Sequence, residues 1–380
     1  MARTIAILGA GIGGLTMALA LRRRGLSADV YERASMLNEV GAGIWMPPNA
    51  MQIFERLGVD REVIDNSVAL RTLEIEDHEG RPIQRIHLDA IRVETGFTIQ
   101  AIHRAKLQRI LAEAWGMDRI AFDHECLAVH DDVNGATAEF RNGKRTTVDV
   151  LIGADGLRSK AREYVLPGVP LRDTAQACFR GIADLELPEE LQHVCRETWG
   201  VRHRFGFSAI GPRSVYWFAP ISQPCDITVA EAHAKLPEVY GDFPKLIVDI
   251  LKATPASSII RTDLADFEPI MRWHRGHCVL VGDAAHATTP NLGQGAAQAT
   301  ESAYMLARAL STHENTEAAF DEYQQRRMEK AHLVTNTSWS LGRAAHIEGS
   351  IARAVRDLAL RSTPDALNER QVARFFTLGY

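Results

Sequence analysis

The chain lacks the features that would tie it to an oxidising compartment, a membrane span or a nucleic acid. Its five cysteines, Cys126, Cys178, Cys195, Cys225 and Cys278, are scattered and odd in number, and no two stand in CxxC spacing. That pattern excludes a disulfide framework and a cysteine zinc site, and it fits a reducing cytoplasm. No apolar run reaches the ~18 residues that a bilayer crossing demands. The opening Met1-Ala2-Arg3 runs straight into an apolar segment, which leaves no room for a secretory leader. Net charge is −5 with no basic block to offset it, and this argues against a nucleic-acid partner. His274, His277 and His286 include a His-x-x-His pair but lack the acid and the third-ligand spacing of a zinc enzyme. Internal repeats and low-complexity segments are absent too.

What is present is a chain of 380 residues, 46% apolar and 24% charged, enough for two to three domains and a large core. Its first chemical signal is Gly9-Ala10-Gly11-Ile12-Gly13-Gly14, between an apolar strand at 4–8 and a helix-like run at 15–24 closed by Gly25. A second strand, 28–32, ends in Glu32, 18 positions after Gly14. Glycines in this setting permit a tight turn, close approach of a pyrophosphate and helix–sheet packing, while the acid can bind a ribose hydroxyl. An acid at this point favours FAD or NAD over NADP.

A later stretch, CVLVGDAAHATTPNLGQGAAQATESA from Cys278 to Ala303, reads as a buried strand that stops at Gly282-Asp283. Pro290, Gly293 and Gly295 then punctuate a loop, and strong helix formers follow from Ala296. A helix entered from such a loop presents unpaired N–H groups and the positive end of its dipole, so an anion, or a ring that becomes anionic on reduction, suits it. The plainer reading is an ordinary strand–loop–helix connection with Asp283 capping a turn.

Between these stretches, 41–44 is a second flexible, glycine-bearing segment. Asn49 reads as the cap of a helix, with Gln52 in the capping-box position and Gly58 as its stop. Segments 68–76 and 82–88 alternate as strands around a turn near Glu79-Gly80. His103-Arg104 precedes a helix at 105–115, where Arg104 could anchor a phosphate or simply be solvated. Strand 148–152 ends in Gly153-Ala154-Asp155-Gly156, a turn signal followed by Arg158, Lys160 and Arg162. Segments 178–187, 196–210 and 214–220 are strand-like. Alternation puts Arg202, Arg204, Gly206 and Ser208 on one face and Val201, His203, Phe205 and Phe207 on the other, with Tyr216 and Phe218 sharing a face. Such strands between nucleotide-binding segments suggest a second, sheet-based domain. Beyond residue 310 the pattern is helical: a long helix carries Phe320, Tyr323 and Arg327, and short amphipathic helices at 351–360 and 369–376 are expected to pack on the body, with contact to a membrane or partner as the alternative.

Taken in order, GxGxxG at Gly9–Gly14, Asp155-Gly156 after a strand, and Gly282-Asp283 followed by PNLGQG strongly resemble the single-component, FAD-dependent aromatic hydroxylases of the para-hydroxybenzoate hydroxylase type. The similarity runs through nearly the whole chain. It implies an α/β (α+β) fold in which a discontinuous Rossmann-like FAD-binding domain is interrupted by a sheet-based substrate domain and followed by C-terminal helices. On that pattern 1–70, 101–174 and 269–335 form the FAD-binding domain, 71–100 and 175–268 the substrate domain, and 336–380 the closing helices. Carried over by position, Gly9, Gly11, Gly13 and Gly14 would approach the FAD pyrophosphate and Glu32 the adenosine ribose, with Arg33 and Gly43 in the same cofactor-binding set. Arg104 would contact the phosphate–ribityl region, Asp155 would sit near the nicotinamide cofactor and the pyrophosphate, and Asp283 would bind the ribityl chain. Pro290, Gly293, Gln294, Gly295 and Ala296 would face the isoalloxazine ring. Arg204 and Tyr216 would be the catalytic pair, and Phe218, Asn291 and Pro290 would meet the substrate.

Within the family, ADGLRSKAREYV, TWGVRHRFGFSAIGPRSVYWFA and GDAAHATTPNLGQGAA are most similar to alkylquinolone monooxygenases. Bacterial urate hydroxylases share the spacing of Arg204 and Tyr216 but carry an aspartate where this chain has Asn291. Phe205, Phe207, Trp217 and Phe218 would suit a larger apolar aromatic. The resemblance implies hydroxylation of such a substrate with NAD(P)H and molecular oxygen through a flavin hydroperoxide, by a cytoplasmic monomer or homodimer holding FAD without a covalent bond. With one fingerprint only, NADH or NADPH would visit briefly. Other readings are a small aromatic acid, pyridine or purine as substrate, an isoprenoid epoxidase, and a flavin-binding sensor without turnover. Halogenation is disfavoured because no Trp-x-Trp occurs, and no general base is visible; His203, a strand histidine, is a poor candidate.

Overall fold

The computed structural model describes residues 3–37 and 42–379. Gly41, at the start of the expected flexible stretch, lies outside the described residues.

Three buried apolar tetrads and triads build the centre of a six-stranded sheet: Ile5–Leu8, Val150–Gly153 and Cys278–Leu280. They pair in parallel, Ile5 with Val150 and Leu151 with Cys278. Parallel strands need cover on both faces, which is why these runs are apolar throughout rather than alternating. Asp29–Tyr31 and Ile120–Ala121 extend one side in parallel, and His274–Arg275 closes the other antiparallel. The register aligns Leu8 with Gly153 and Gly153 with Leu280. All three central strands therefore stop at the same edge, and the three motifs leave the sheet side by side there. Ligands of open parallel sheets bind at this carboxyl edge.

A seven-stranded sheet runs in the order Ile260–Asp266, Arg172–Asp184, Ser214–Ser222, Arg204–Gly211, Val194–Trp199, Thr72–Asp77, Pro82–His87. Its two faces have different fates. Phe179, Phe205, Phe207 and Trp217 are buried with Leu236 and Ile247 from the helices Val229–Val239 and Lys245–Lys252. Arg204, Gly206, Ser208, Tyr216 and Phe218 stand on the opposite face, toward a three-stranded sheet of Gly43–Met46, Ile99–His103 and Val68–Leu70. Phe205, Phe207 and Trp217 are thus core residues under helices, and of the four aromatics expected to suit a substrate only Phe218 faces the interior cleft.

Other details depart from the sequence reading. Segment 196–210 is two strands, because Gly200–His203 turns the chain and Arg202 takes a left-handed φ of 66°. Arg202 consequently leaves the face of Arg204. His203 is packed against Tyr240 and Phe243 at ring distances of 5.0 and 4.9 Å, a structural position as expected. Asn49 is not a cap. Pro47 and Pro48 open the helix Pro48–Leu57, so Asn49 already lies inside it, and Gln52 Nε2 donates to Pro48 O at 3.1 Å. Gly58 does end that helix in the left-handed conformation.

The C-terminal helices behave unequally. Asp365–Phe376 packs Phe376 into the interior. Ser350–Arg361 rests on the body through Arg356 and Asp357 and leaves its large apolar side chains exposed. Among the described residues no helix is long and apolar enough to cross a membrane.

Candidate functional site

The groove at the sheet edge begins with the first glycine turn. Gly9 has a φ of 105°, and a Cβ there would lie 2.5 Å from the Ala154 carbonyl oxygen. A Cβ on Gly14 would strike the Gly9 carbonyl, and one on Gly13 would lie 3.1 Å from Ala299 Cβ. These three glycines let chain approach chain. Gly11 differs: a Cβ there meets nothing within 4 Å, so its missing side chain leaves open space just before the helix Ile12–Arg23. Glu32 curls over this turn, accepting from Ala10 N at 2.8 Å and Ala34 N at 3.0 Å, while Arg33 points to solvent.

Asp155 leaves the second strand and is engaged by its own chain. Ser159 Oγ donates to it at 2.5 Å, Lys160 N at 2.7 Å and Ala161 N at 3.2 Å, which ties the turn to the helix Lys160–Val165. Burial pushes its carboxyl up, and these donors oppose that. Arg162, mentioned in the sequence only as a neighbouring charge, bridges the second and third motifs. It donates to Leu157 O at 2.5 Å and Ala284 O at 3.3 Å and lies 4.4 Å from the centre of the Phe267 ring. Asp283 opens onto the groove yet lies deep among protein atoms. That desolvation pushes its carboxyl up, against the positive charges of Arg104 and Arg162. Arg104 is the exposed first residue of the helix Arg104–Trp115.

Pro290–Leu292 forms a single turn, and Gly293 reverses the chain at a φ of 61°. Trp45 occupies the space where a Gly293 side chain would go, 3.3 Å from its Cβ position. Gln294 is buried and accepts from Asn49 Nδ2 at 3.1 Å and Gln298 Nε2 at 3.0 Å, but its own Nε2 has no partner. The helix Gly295–Thr312 starts here, with Gly295 and Ala296 half-buried. Its first N–H groups have no carbonyl within the helix to bond. Beneath it lies a charge network that the sequence did not reveal. Glu301, fully buried, accepts from Asn49 Nδ2 at 2.6 Å, Arg327 Nη1 at 2.8 Å and Lys330 Nζ at 2.8 Å. His286 donates to or accepts from Ser302 at 2.8 Å, and burial holds its imidazole neutral by pushing its pKa down to about 3.

Across from this loop stands the open face of the large sheet. Arg204, 1% exposed, donates to Glu197 Oε1 at 2.5 Å and to the Asn291 amide oxygen. Asn291 Nδ2 is taken by Ser338 O at 2.8 Å and Thr289 Oγ1 at 2.9 Å. Arg204 Nε is buried without a partner. Tyr216 and Phe218 meet Trp45 edge-on at centroid distances of 6.2 and 5.6 Å, and Trp45 Nε1 donates to Ser208 Oγ at 3.0 Å. Gly43 has no side chain because the Tyr216 ring occupies its place, and Gly206 likewise yields to Phe218. Burial raises the Tyr216 hydroxyl well above its ordinary range, so it is a neutral donor and no base. The cleft continues into an apolar cluster of Leu70, Ile91, Ile99 and Ile210, which Val372, Phe375 and Phe376 of the last helix close.

The structure thus brings Gly9, Gly11, Gly14, Glu32, Asp155 and Asp283 to one edge, and Arg204, Tyr216, Phe218 and Asn291 to one cleft. Gly43 belongs to the cleft through Tyr216. Glu197, Ser208, Trp45 and Glu301 are additions that sequence alone missed. Only Ser208 had a signal, its place in the alternation with Arg204.

An elongated dinucleotide fits what these residues leave free: the void at Gly11, the open carboxylate of Asp283, and the unpaired donors at the start of the helix beyond Gly293. Comparison with known proteins gives the same class. The sequence family described as "FAD binding domain" matches residues 2–338. Aurachin C monooxygenase/isomerase of Stigmatella aurantiaca is 36% identical over 359 residues, 94% of each chain. The 2-heptyl-3-hydroxy-4(1H)-quinolone synthase of Pseudomonas aeruginosa (strain UCBPP-PA14) is 31% identical over 98% of each chain. The crystal structure of Klebsiella pneumoniae HpxO complexed with FAD and uric acid superposes with a TM-score of 0.90 at 25% identity, covering 98% of this chain and 96% of that one. The chain belongs to the FAD-binding-domain family, as one of its single-component, FAD-dependent aromatic hydroxylases. It is an FAD-dependent monooxygenase, and FAD is its cofactor.

Proposed function

We propose that this monooxygenase hydroxylates an apolar heteroaromatic of the alkylquinolone kind, with NAD(P)H as reductant and molecular oxygen as co-substrate. The observation that carries the reading is the cleft itself: one polar end, Arg204 with Asn291, opening into an apolar space bounded by Trp45, Tyr216, Phe218 and the last helix. The quinolone-acting relatives match it over almost their whole length. Uric acid, the ligand in the HpxO complex, is a small nitrogen-rich ring. Here the amide donors of Asn291 are already given to Ser338 and Thr289, so this residue has no donor left for a purine.

In this reading Gly9, Gly11 and Gly14 leave room for the FAD pyrophosphate, Glu32 takes the adenosine ribose, and Asp283 with Arg104 takes the phosphate–ribityl part. Asp155 acts by fixing its turn, since both its oxygens are engaged by Ser159, Lys160 and Ala161. When bound, FAD supplies electron transfer from the nicotinamide and activation of oxygen. The protein's own part is to place the ring, exclude water and set charge. The helix starting at Gly295 offers its positive end to negative charge on the ring, and Arg204 stabilises an enolate or phenolate oxygen of the substrate. Tyr216 donates a hydrogen bond, and Phe218 and Trp45 flank the ring.

The test is a screen of alkylquinolones, hydroxybenzoates, pyridines and purines for stimulated NAD(P)H consumption with product mass. A gain of one oxygen on a quinolone supports the reading, and stimulation by purines alone contradicts it. Arg204→Gln should lower kcat/KM by about 10- to 100-fold at unchanged flavin content, the worth of one hydrogen bond to a charged group (about 1.5–3 kcal/mol).

A further inference from the structure

The helix Ser350–Arg361 is mounted inside out. Arg356 and Asp357 turn toward the body: Arg356 lies 4.7 Å from the centre of the Trp199 ring, donates to Ala344 O at 3.0 Å and pairs with Asp357 at 2.7 Å, while Arg353 donates to Glu348 O at 2.9 Å beside the helix start. The outward face carries Ile351, Ala352, Ala354, Val355, Leu358 and Ala359, with Ser350 and Arg361 exposed at the helix ends. Its large side chains are among the most exposed in the molecule, Ile351 at 81%, Leu358 at 65% and Val355 at 62%. A surface helix ordinarily shows the reverse arrangement, and a contiguous apolar patch of this kind marks an interaction site.

We propose that this face docks on the surface of an anionic lipid bilayer. A second copy of the chain is a poor occupant. The six apolar residues of this face are few beside the roughly 20–30 residues a side of a stable dimer. Charge favours the bilayer. On the neighbouring helix Leu367 is exposed with Arg370 and Arg374. The last forty residues hold six arginines and four acids in a chain whose total is −5. Exposed arginines on the helix that follows suit an anionic lipid surface.

The same pair of helices joins this face to the cleft. The last helix shows Arg370 and Arg374 outside and Val372, Phe375 and Phe376 inside, against the cluster that contains Tyr216 and Phe218. Both helices lie against the strand Pro82–His87, so the docking face stands one helix away from the wall of the substrate space. Resting on the proposed substrate class, this means an apolar quinolone dissolved in the bilayer reaches the cleft through the layer of helices that touches it.

The experiment uses FAD-loaded enzyme sedimented with large vesicles of phosphatidylcholine, with or without phosphatidylglycerol. Wild type should sediment with the anionic vesicles. Ile351→Ser/Val355→Ser/Leu358→Ser should bind them about tenfold less or weaker still, from the apolar area no longer buried. Arg370→Glu/Arg374→Glu should lose roughly fivefold per arginine on anionic vesicles and little on neutral ones. Both variants should keep wild-type turnover of a water-soluble short-chain quinolone. Wild type that ignores anionic vesicles, or a triple-serine variant that binds as well as wild type, overturns the proposal. So does a wild-type dimer that the triple-serine variant converts to monomer without any vesicle binding, which assigns the face to a second copy. Vesicle binding without stimulation by any quinolone supports docking and removes the substrate reading; stimulation without vesicle binding removes docking alone.

Discussion

Gly11→Val yields a folded protein without colour. Gly11 caps its helix at φ −72° and ψ −179°, a conformation open to any residue, and its Cβ would touch nothing in the protein. The fold has no reason to exclude a side chain there. On the proposed reading the cofactor has one, because the pyrophosphate would approach the backbone through this void at the helix start. Displacing it forfeits two or more hydrogen bonds to charged oxygens at about 1.5–3 kcal/mol each, or a loss of FAD affinity of roughly 100-fold and upward. Thermal unfolding of the apoprotein should barely change, while flavin absorbance after reconstitution disappears. Gly14→Val behaves differently, since its side chain meets the Gly9 carbonyl and damages the fold itself. The two variants separate glycines kept for the ligand from glycines kept for the chain.

Glu301→Ala should be the most destabilising single change in the interior. Glu301 and Arg327 are 0% and 1% exposed, and Lys330 shares the same carboxylate. Removing the acid strands Arg327 in the core and leaves the half-buried Lys330 without its ion pair, which costs about 3–5 kcal/mol. Burial already pushes the Lys330 ammonium down in pKa, with Glu301 acting against it. The damage should reach the loop above, because Asn49 is shared between Glu301 and Gln294. It should also reach the C-terminus, because Lys330 donates to Thr377 O at 2.8 Å. Chemical denaturation measures the first effect, and the flavin retained through gel filtration measures the second.

The cofactor edge was legible because its signals are local. Each motif is an apolar strand ending in glycine or aspartate, and parallel strands of equal reach place their ends together. The cleft was half legible. Alternation correctly grouped Arg204 with Gly206 and Ser208, and Tyr216 with Phe218. It could not say that Phe205, Phe207 and Trp217 would be claimed by helices that follow at Val229–Val239 and Lys245–Lys252. Period-two reasoning also assumes an unbroken strand, and the left-handed turn at Arg202 broke it. Glu301, Arg327 and Lys330 read as ordinary polar helix residues, since pairing across two helices leaves no periodic trace. The amphipathic pattern of Ser350–Arg361 was visible too, but the face it would bury was not: the Trp199 ring and the Ala344 carbonyl hold Arg356 inward.

The central claim is that three separate turns and the helix from Gly295 hold one FAD, with its ring facing the cleft of Arg204, Tyr216 and Phe218. A crystal structure of the FAD-loaded enzyme tests it most directly. The pyrophosphate should lie over Gly11 and the ribityl chain beside Asp283, with the isoalloxazine between residues 290–295 and the open sheet face. A flavin ring seated away from Asp283 and that loop, or a pyrophosphate remote from Gly11, would contradict the account.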